Sequence, residues 1–99
     1  MATSKIKKPT FTTKVFSMTD NTIAGGAAYA ASLTSSQVAL DGYNPVGVVT
    51  VNKSGSGHTD VLIYQFGFTD AGALVVGLKN IGQNERIVSV TCRVLYMSS

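Results

Sequence analysis

At 99 residues the chain has room for one domain with a thin two-layer core. Only 13% of its residues are charged, Trp is absent and the mean hydropathy is +0.22, which excludes a disordered polar tail and suits a β-protein with neutral polar faces, of a kind that lives in assemblies. The net charge of +3 is unevenly placed: Lys5, Lys7, Lys8 and Lys14 open the chain with no acid among them, while Lys53, Lys79, Arg86 and Arg93 are outnumbered by Asp20, Asp41, Asp60, Asp70 and Glu85.

Residues 1–10 lack periodicity and read as a basic arm, a feature that is either a solvated terminus or a contact for an acidic partner or nucleic acid. Residues 11–99 then form a single β domain. Phe11 to Met18 is the first strand, with Phe11, Thr13 and Val15 on one face and Phe16 and Met18 on the other, a slip that a bulge explains. Thr19-Asp20-Asn21-Thr22 has turn chemistry. Ala27 to Ala31 suits a helix on propensity, but Gly25-Gly26 opposes a helix that begins earlier, and an extended strand over roughly 27–33 is expected. Thr34 to Gln37 reads as a turn and Val38 to Leu40 as a short strand.

Asp41-Gly42-Tyr43-Asn44-Pro45 is the sharpest punctuation in the chain. Val46 to Asn52 follows as a strand. Residues 53–60, Lys53-Ser54-Gly55-Ser56-Gly57-His58-Thr59-Asp60, read as a flexible polar loop; Gly55-Ser56-Gly57 lacks the Lys and the following helix of a phosphate loop. Val61 to Phe68 is a strand that puts Leu62, Tyr64, Phe66 and Phe68 on one face. That aromatic row superficially resembles a base-stacking platform, but no Lys or Arg accompanies it on the strand, so it reads as core. Asp70-Ala71-Gly72 turns the chain, and Ala73 to Lys79 carries Leu74, Val76 and Leu78 on one face. After a connection over 80–84, Glu85 to Met97 is the longest strand: Val88, Val90, Cys92, Val94 and Tyr96 alternate with Ser89, Thr91 and Arg93. The polar face turns apolar at Leu95 and Met97, so a partner subunit is expected to cover it. Strands at about ten-residue spacing define an all-β, antiparallel β-sandwich of six to eight strands, of Greek-key or jelly-roll type.

The chemistry-bearing residues are few. Cys92 sits among Val90 and Val94 as a small buried hydrophobe, and a nucleophilic role would need a base that only His58, in a polar loop, could supply. The Asp residues stand beside turns, where Asp is expected for local reasons. No zinc-spaced Cys/His cluster is present. These absences point away from an enzyme, a cofactor and a metal. Met1 is followed by a polar, lysine-rich run and not by the apolar core of a signal peptide, and no apolar run approaches the ~20 residues that span a membrane.

Gly42-Tyr43-Asn44-Pro45-Val46-Gly47-Val48, a Ser/Gly loop, an apolar strand, and a closing Val90-Thr91-Cys92-Arg93-Val94-Leu95-Tyr96-Met97 together resemble the small β-sandwich head or tip domains of phage and prophage fibre proteins. The resemblance covers roughly residues 11–97. It implies a trimeric, non-enzymatic virion domain, made in the host cytoplasm, that adheres to host-surface molecules, often glycans, and contacts other virion proteins. If a loop holds the ligand, Ser54, Ser56, His58, Thr59 and Asp60 are the candidates, since they join donors and acceptors suited to a sugar. A small capsid or tail decoration protein without receptor binding is the first alternative. A nucleic-acid-binding β-barrel that uses Lys5, Lys7, Lys8 and Lys14 on phosphates is the second.

Overall fold

The computed structural model describes residues 8–99. It is an antiparallel β structure of six strands: β1 (Phe11–Ile23), β2 (Ala28–Leu33), β3 (Tyr43–Ser54), β4 (Val61–Phe68), β5 (Leu74–Asn80) and β6 (Arg86–Ser98). One sheet has the order β1-β6-β3 and the other β2-β5-β4. The two strands of strongest alternation, β5 and β6, are therefore the central strands.

The two sheets are successive halves of one three-armed ribbon. Ile23 pairs with Arg86 where β1 ends, and Ala28 pairs with Lys79 where β2 begins. On the other flank, Ser54 pairs with Ser89 and Val61 with Asn80. All three arms are thus interrupted at one level, by residues 24–27, 55–60 and 81–85. There the ribbon folds back, and the inner faces of both sheets meet in one core. Val88, Val90, Cys92, Val94 and Tyr96 from β6 share it with Leu74, Val76 and Leu78 from β5, and with Phe16, Met18, Ile23, Ala31, Val38 and Val61 from the flanks. The expected inner faces of 73–79 and 85–97 are those that are buried.

The fold-over is held by a buried polar residue. Asn80 is fully buried, and its side-chain amide donates to the carbonyls of Ile23 (3.0 Å) and Asn84 (2.8 Å) while its Oδ1 accepts from the Gly82 N–H (2.9 Å). Its backbone accepts from Gly26 and donates to Ala27. One side chain so satisfies backbone groups from two interrupted arms, which burial would otherwise leave unpaired.

Several local expectations are corrected. Thr19 to Thr22 does not reverse the chain; it is a bulge between Met18 and Asn21 inside the 13-residue β1. Asp20 takes a left-handed φ of 55°, its N–H bonds Ser89 Oγ, and the buried Asn21 amide donates to Met18 and Val88 carbonyls, so the side chains repair the broken ladder. Thr34 to Gln37 is not a plain turn, and Val38 begins no strand. Ser35–Val38 is one helical turn, α1, closed by a reciprocal capping box between Thr34 and Gln37. Leu40 bridges Tyr43 just before β3, which runs from the corner itself through two bulges, at Pro45/Gly47 and Val48/Thr50.

Candidate functional site

Three regions combine exposure with shape. The first is the segment 53–60, at the fold-over. Sequence alone makes it a flexible loop; the structure gives it a turn and a 3-10 helix over His58–Asp60. Lys53 Nζ donates to the His58 carbonyl (3.1 Å) and lies 3.3 Å from His58 Nδ1. Asp60 accepts from Arg86 through Nε (2.9 Å) and Nη2 (2.7 Å), and its carbonyl accepts from Ile81. These contacts fix the polar residues in place. Ser54, Ser56 and Thr59 are exposed, whereas His58 and Asp60 are half-buried and spend part of their hydrogen-bonding capacity inside the protein. The five candidates therefore lie together on one ordered cap, with the three hydroxyls outward.

The second region is β4. The expectation that Leu62, Tyr64, Phe66 and Phe68 form one buried face fails, because a register shift between Ile63 and Gln65 breaks the alternation. Val61 and Ile63 face the core, Tyr64 is 55% exposed and Phe66 is 56% exposed, and only Phe68 packs against the core. The Tyr64 ring and Gln65 lie across Gly77 of β5, where a Cβ would come within 2.7 Å of Tyr64 Cζ. Phe66, Phe68, Gln65, Gly67, Thr69 and Val75 line a cleft of about 190 Å³ beside them. No Lys or Arg stands on β4 itself; Lys79, opposite Leu62 on the same outer face, donates its ammonium to the Gly26 carbonyl (2.6 Å).

The third region is the outer face of the β1-β6-β3 sheet. Phe11 pairs with Met97, and Leu95 lies between Thr13 and Gly47. Residues opposite in register share a face, so Phe11, Leu95 and Met97 form an apolar strip, extended by Val15 beside Arg93. Arg93 spends one hydrogen bond on Thr13 Oγ1. This is the face that turns apolar at the end of β6, as the alternation of that strand predicts. At the same end, Val38, Leu40, Tyr43, Pro45 and Gly72 help line a wider hollow of about 440 Å³ under the corner.

Cys92 is fully buried among Val90 and Val94, and burial pushes its thiol pKa upward, away from the nucleophilic thiolate. No group of three or more His, Cys, Asp or Glu residues among those described could hold a metal ion. No helix among the described residues is long and apolar enough to cross a membrane. Of the basic arm, Lys5 and Lys7 lie outside the described residues. Lys14 stands over the Phe16 ring at 5.3 Å, and Thr10 is already tied to Ser98 by two hydrogen bonds.

Sequence reading missed the exposed β4 aromatics and the anchors of the 53–60 cap. Arg86 is 26 positions from Asp60, and nothing local marks them as partners. Compared with protein-family models, curated proteins and solved structures, the chain matches none.

Proposed function

We propose that this chain is a non-enzymatic head or tip domain of a phage-like fibre, a β-sandwich of jelly-roll type made by folding a three-armed ribbon, which adheres to host-surface glycans. One observation supports the reading most. The two stretches that carry the resemblance are neighbours in space: Asn44 pairs with Met97, Pro45 with Tyr96, Gly47 with Leu95 and Val48 with Val94. Corner and closing strand are one structural unit, so two short patterns far apart in sequence have a common physical cause. Ser54, Ser56, His58, Thr59 and Asp60 are the proposed ligand surface. Lys53 and Arg86 pre-arrange it, and preorganised hydroxyls bind sugars with less ordering cost. A glycan array read with wild type and with a Ser56→Ala/Thr59→Ala double variant tests this. Binding that the double variant loses supports it. Binding that survives moves the site elsewhere, and absence of binding to glycans or host cells removes the adhesion role.

The apolar strip at Phe11, Leu95 and Met97 favours a second reading, a decoration or structural protein held in a particle by this face. Protein contacts are the usual use of apolar patches beyond a few hundred Å². Incorporation into particles without host-cell binding distinguishes it. Either role fits a homo-oligomer that contacts other virion proteins.

A further inference from the structure

We propose that the edge of β2 left unpaired among the described residues pairs with the same edge of a second copy of this chain, antiparallel and centred on Ala30, to form a two-fold dimer. The four edge strands differ in a way that selects this one. β1 is broken by the bulge at Met18/Asn21, β3 by two bulges and by Pro45, which lacks an N–H, and β4 by the shift at Ile63/Gln65. Such irregularities are the usual means by which an edge is kept from pairing with another chain. β2 has none of them. Its ladder to β5 runs from Ala28/Lys79 to Leu33/Leu74 without a shift, and Ala28-Tyr29-Ala30-Ala31-Ser32-Leu33 carries no charge and no proline.

The partner is argued from the edge's own geometry. The Asn80 N–H donates to the Ala27 carbonyl. Antiparallel alternation then turns the backbone groups of Tyr29, Ala31 and Leu33 toward β5 and those of Ala28, Ala30 and Ser32 outward. Two copies related by an axis through Ala30 place Ala28 opposite Ser32 of the second copy and Ala30 opposite its equivalent. Roughly six interchain hydrogen bonds follow, with inner faces kept on one side. The outward-bonding residues, Ala28, Ala30 and Ser32, have small side chains that leave room for a close approach. Tyr29 supplies the second argument. It pairs with the buried Leu78, so it stands on the core side of its sheet, yet it remains 43% exposed because the sheet ends beside it. In the dimer it faces Ala31 of the second copy, and the open flank of the core is closed. An uncharged strand also meets itself without repulsion, unlike β1 with Lys14 or β3 with Lys53.

This inference does not depend on the proposed ligand surface, and it puts a dimer in place of the trimer that the fibre resemblance implies. Light scattering on the full chain across a wide micromolar range tests it. The wild type should have the mass of a dimer. Ala30→Lys and Ala30→Glu should each be folded and monomeric, since like charges meet at the axis, and a mixture of the two should regain dimer mass. Ala30→Pro should also be a monomer, because it removes an N–H that β5 does not use; edge strands accept proline on that side. A monomeric wild type overturns the proposal. So does a trimer, the symmetry that the fibre resemblance implies, or a dimer that both charged variants retain. If Ala30→Pro fails to fold, the charge pair still decides.

Discussion

The Tyr96 hydroxyl donates to the Val38 carbonyl at 2.6 Å, with both residues buried. Tyr96 lies near the end of β6, and Val38 closes the helical turn just after β2. This one bond therefore ties the two ends of the folded ribbon together, opposite the fold-over at Asn80. It also gives a phenol hydroxyl that would be costly to bury alone its needed partner.

Tyr96→Phe keeps the ring and removes that donor, which strands the Val38 carbonyl inside the core. The expected loss is about 1–2 kcal/mol, the range for an unsatisfied buried acceptor. Urea denaturation monitored by circular dichroism measures it, and the slope with denaturant should be unchanged, since the same surface is exposed on unfolding. A variant as stable as the wild type would show that the bond contributes nothing in water.

Stability should fall in alkali in a manner set by two buried groups. Burial raises the pKa of Cys92 above its ordinary 9.0 and of Tyr96 above its ordinary 10.0. Each is thus held neutral in the fold, while the unfolded chain ionises at ordinary values. Their contribution is complete below pH 9.0 and declines as pH rises through 9.0 and then 10.0 toward the folded values. Urea midpoints between neutral pH and pH 11 should show a smaller alkaline decline in Cys92→Ala than in wild type, with a further part missing in Tyr96→Phe. Parallel curves for all three proteins would exclude these groups as the cause.

What the sequence makes legible here is the core strands, and the reason is periodicity. β5 and β6 are central, buried on one face along their length, and so each core position leaves a mark every second residue. Bulges leave no such mark. The shift at Ile63/Gln65 splits an apparent core row: Leu62 and Tyr64 face outward, while Phe66 and Phe68 come opposite the core residues Val76 and Leu74, and composition is the same in either register. Asn80 is hidden for a different reason: it falls in the connection over 80–84, and only the fold-over reveals it as a buried hub. The Thr34–Gln37 capping box was available, since Thr-Ser-Ser-Gln has its spacing. In the 53–60 segment the polar composition is plain in the sequence, but the order imposed by Lys53 and Arg86 depends on tertiary contacts.

Asn80→Asp tests the hub with a near-isosteric change. The native amide donates to two carbonyls, those of Ile23 and Asn84. A carboxylate has no proton to donate, so it would face both oxygens with a buried negative charge. The expected cost is about 3 kcal/mol or more near neutral pH. The sign with pH is opposite to that of a paired carboxylate. The folded state raises the pKa of this new Asp, so the variant should recover stability as acid protonates it, relative to wild type at each pH. Unfolding midpoints of both proteins from pH 7 down to pH 4 check this; a gap that widens in acid would contradict the assignment of the amide as donor.

Two glycine substitutions should move stability in opposite directions. Gly55 has a φ of +124°, and a Cβ there would lie 2.5 Å from the Ile87 carbonyl oxygen, a backbone atom that cannot swing away. Gly55→Ala thus combines a strained dihedral with a clash, and a loss of about 2–4 kcal/mol is expected. Gly47, beside the bulge of β3, has an ordinary φ, and a Cβ there meets nothing within 4 Å. Gly47→Ala should stabilise by about 0.4–1 kcal/mol, chiefly because the unfolded chain loses freedom. Thermal unfolding of both variants in one buffer gives the comparison. Equal effects would mean that the fold-over at residues 55–60 relaxes to admit a side chain, and that the 53–60 cap is less fixed than its contacts with Ile87 and Arg86 require.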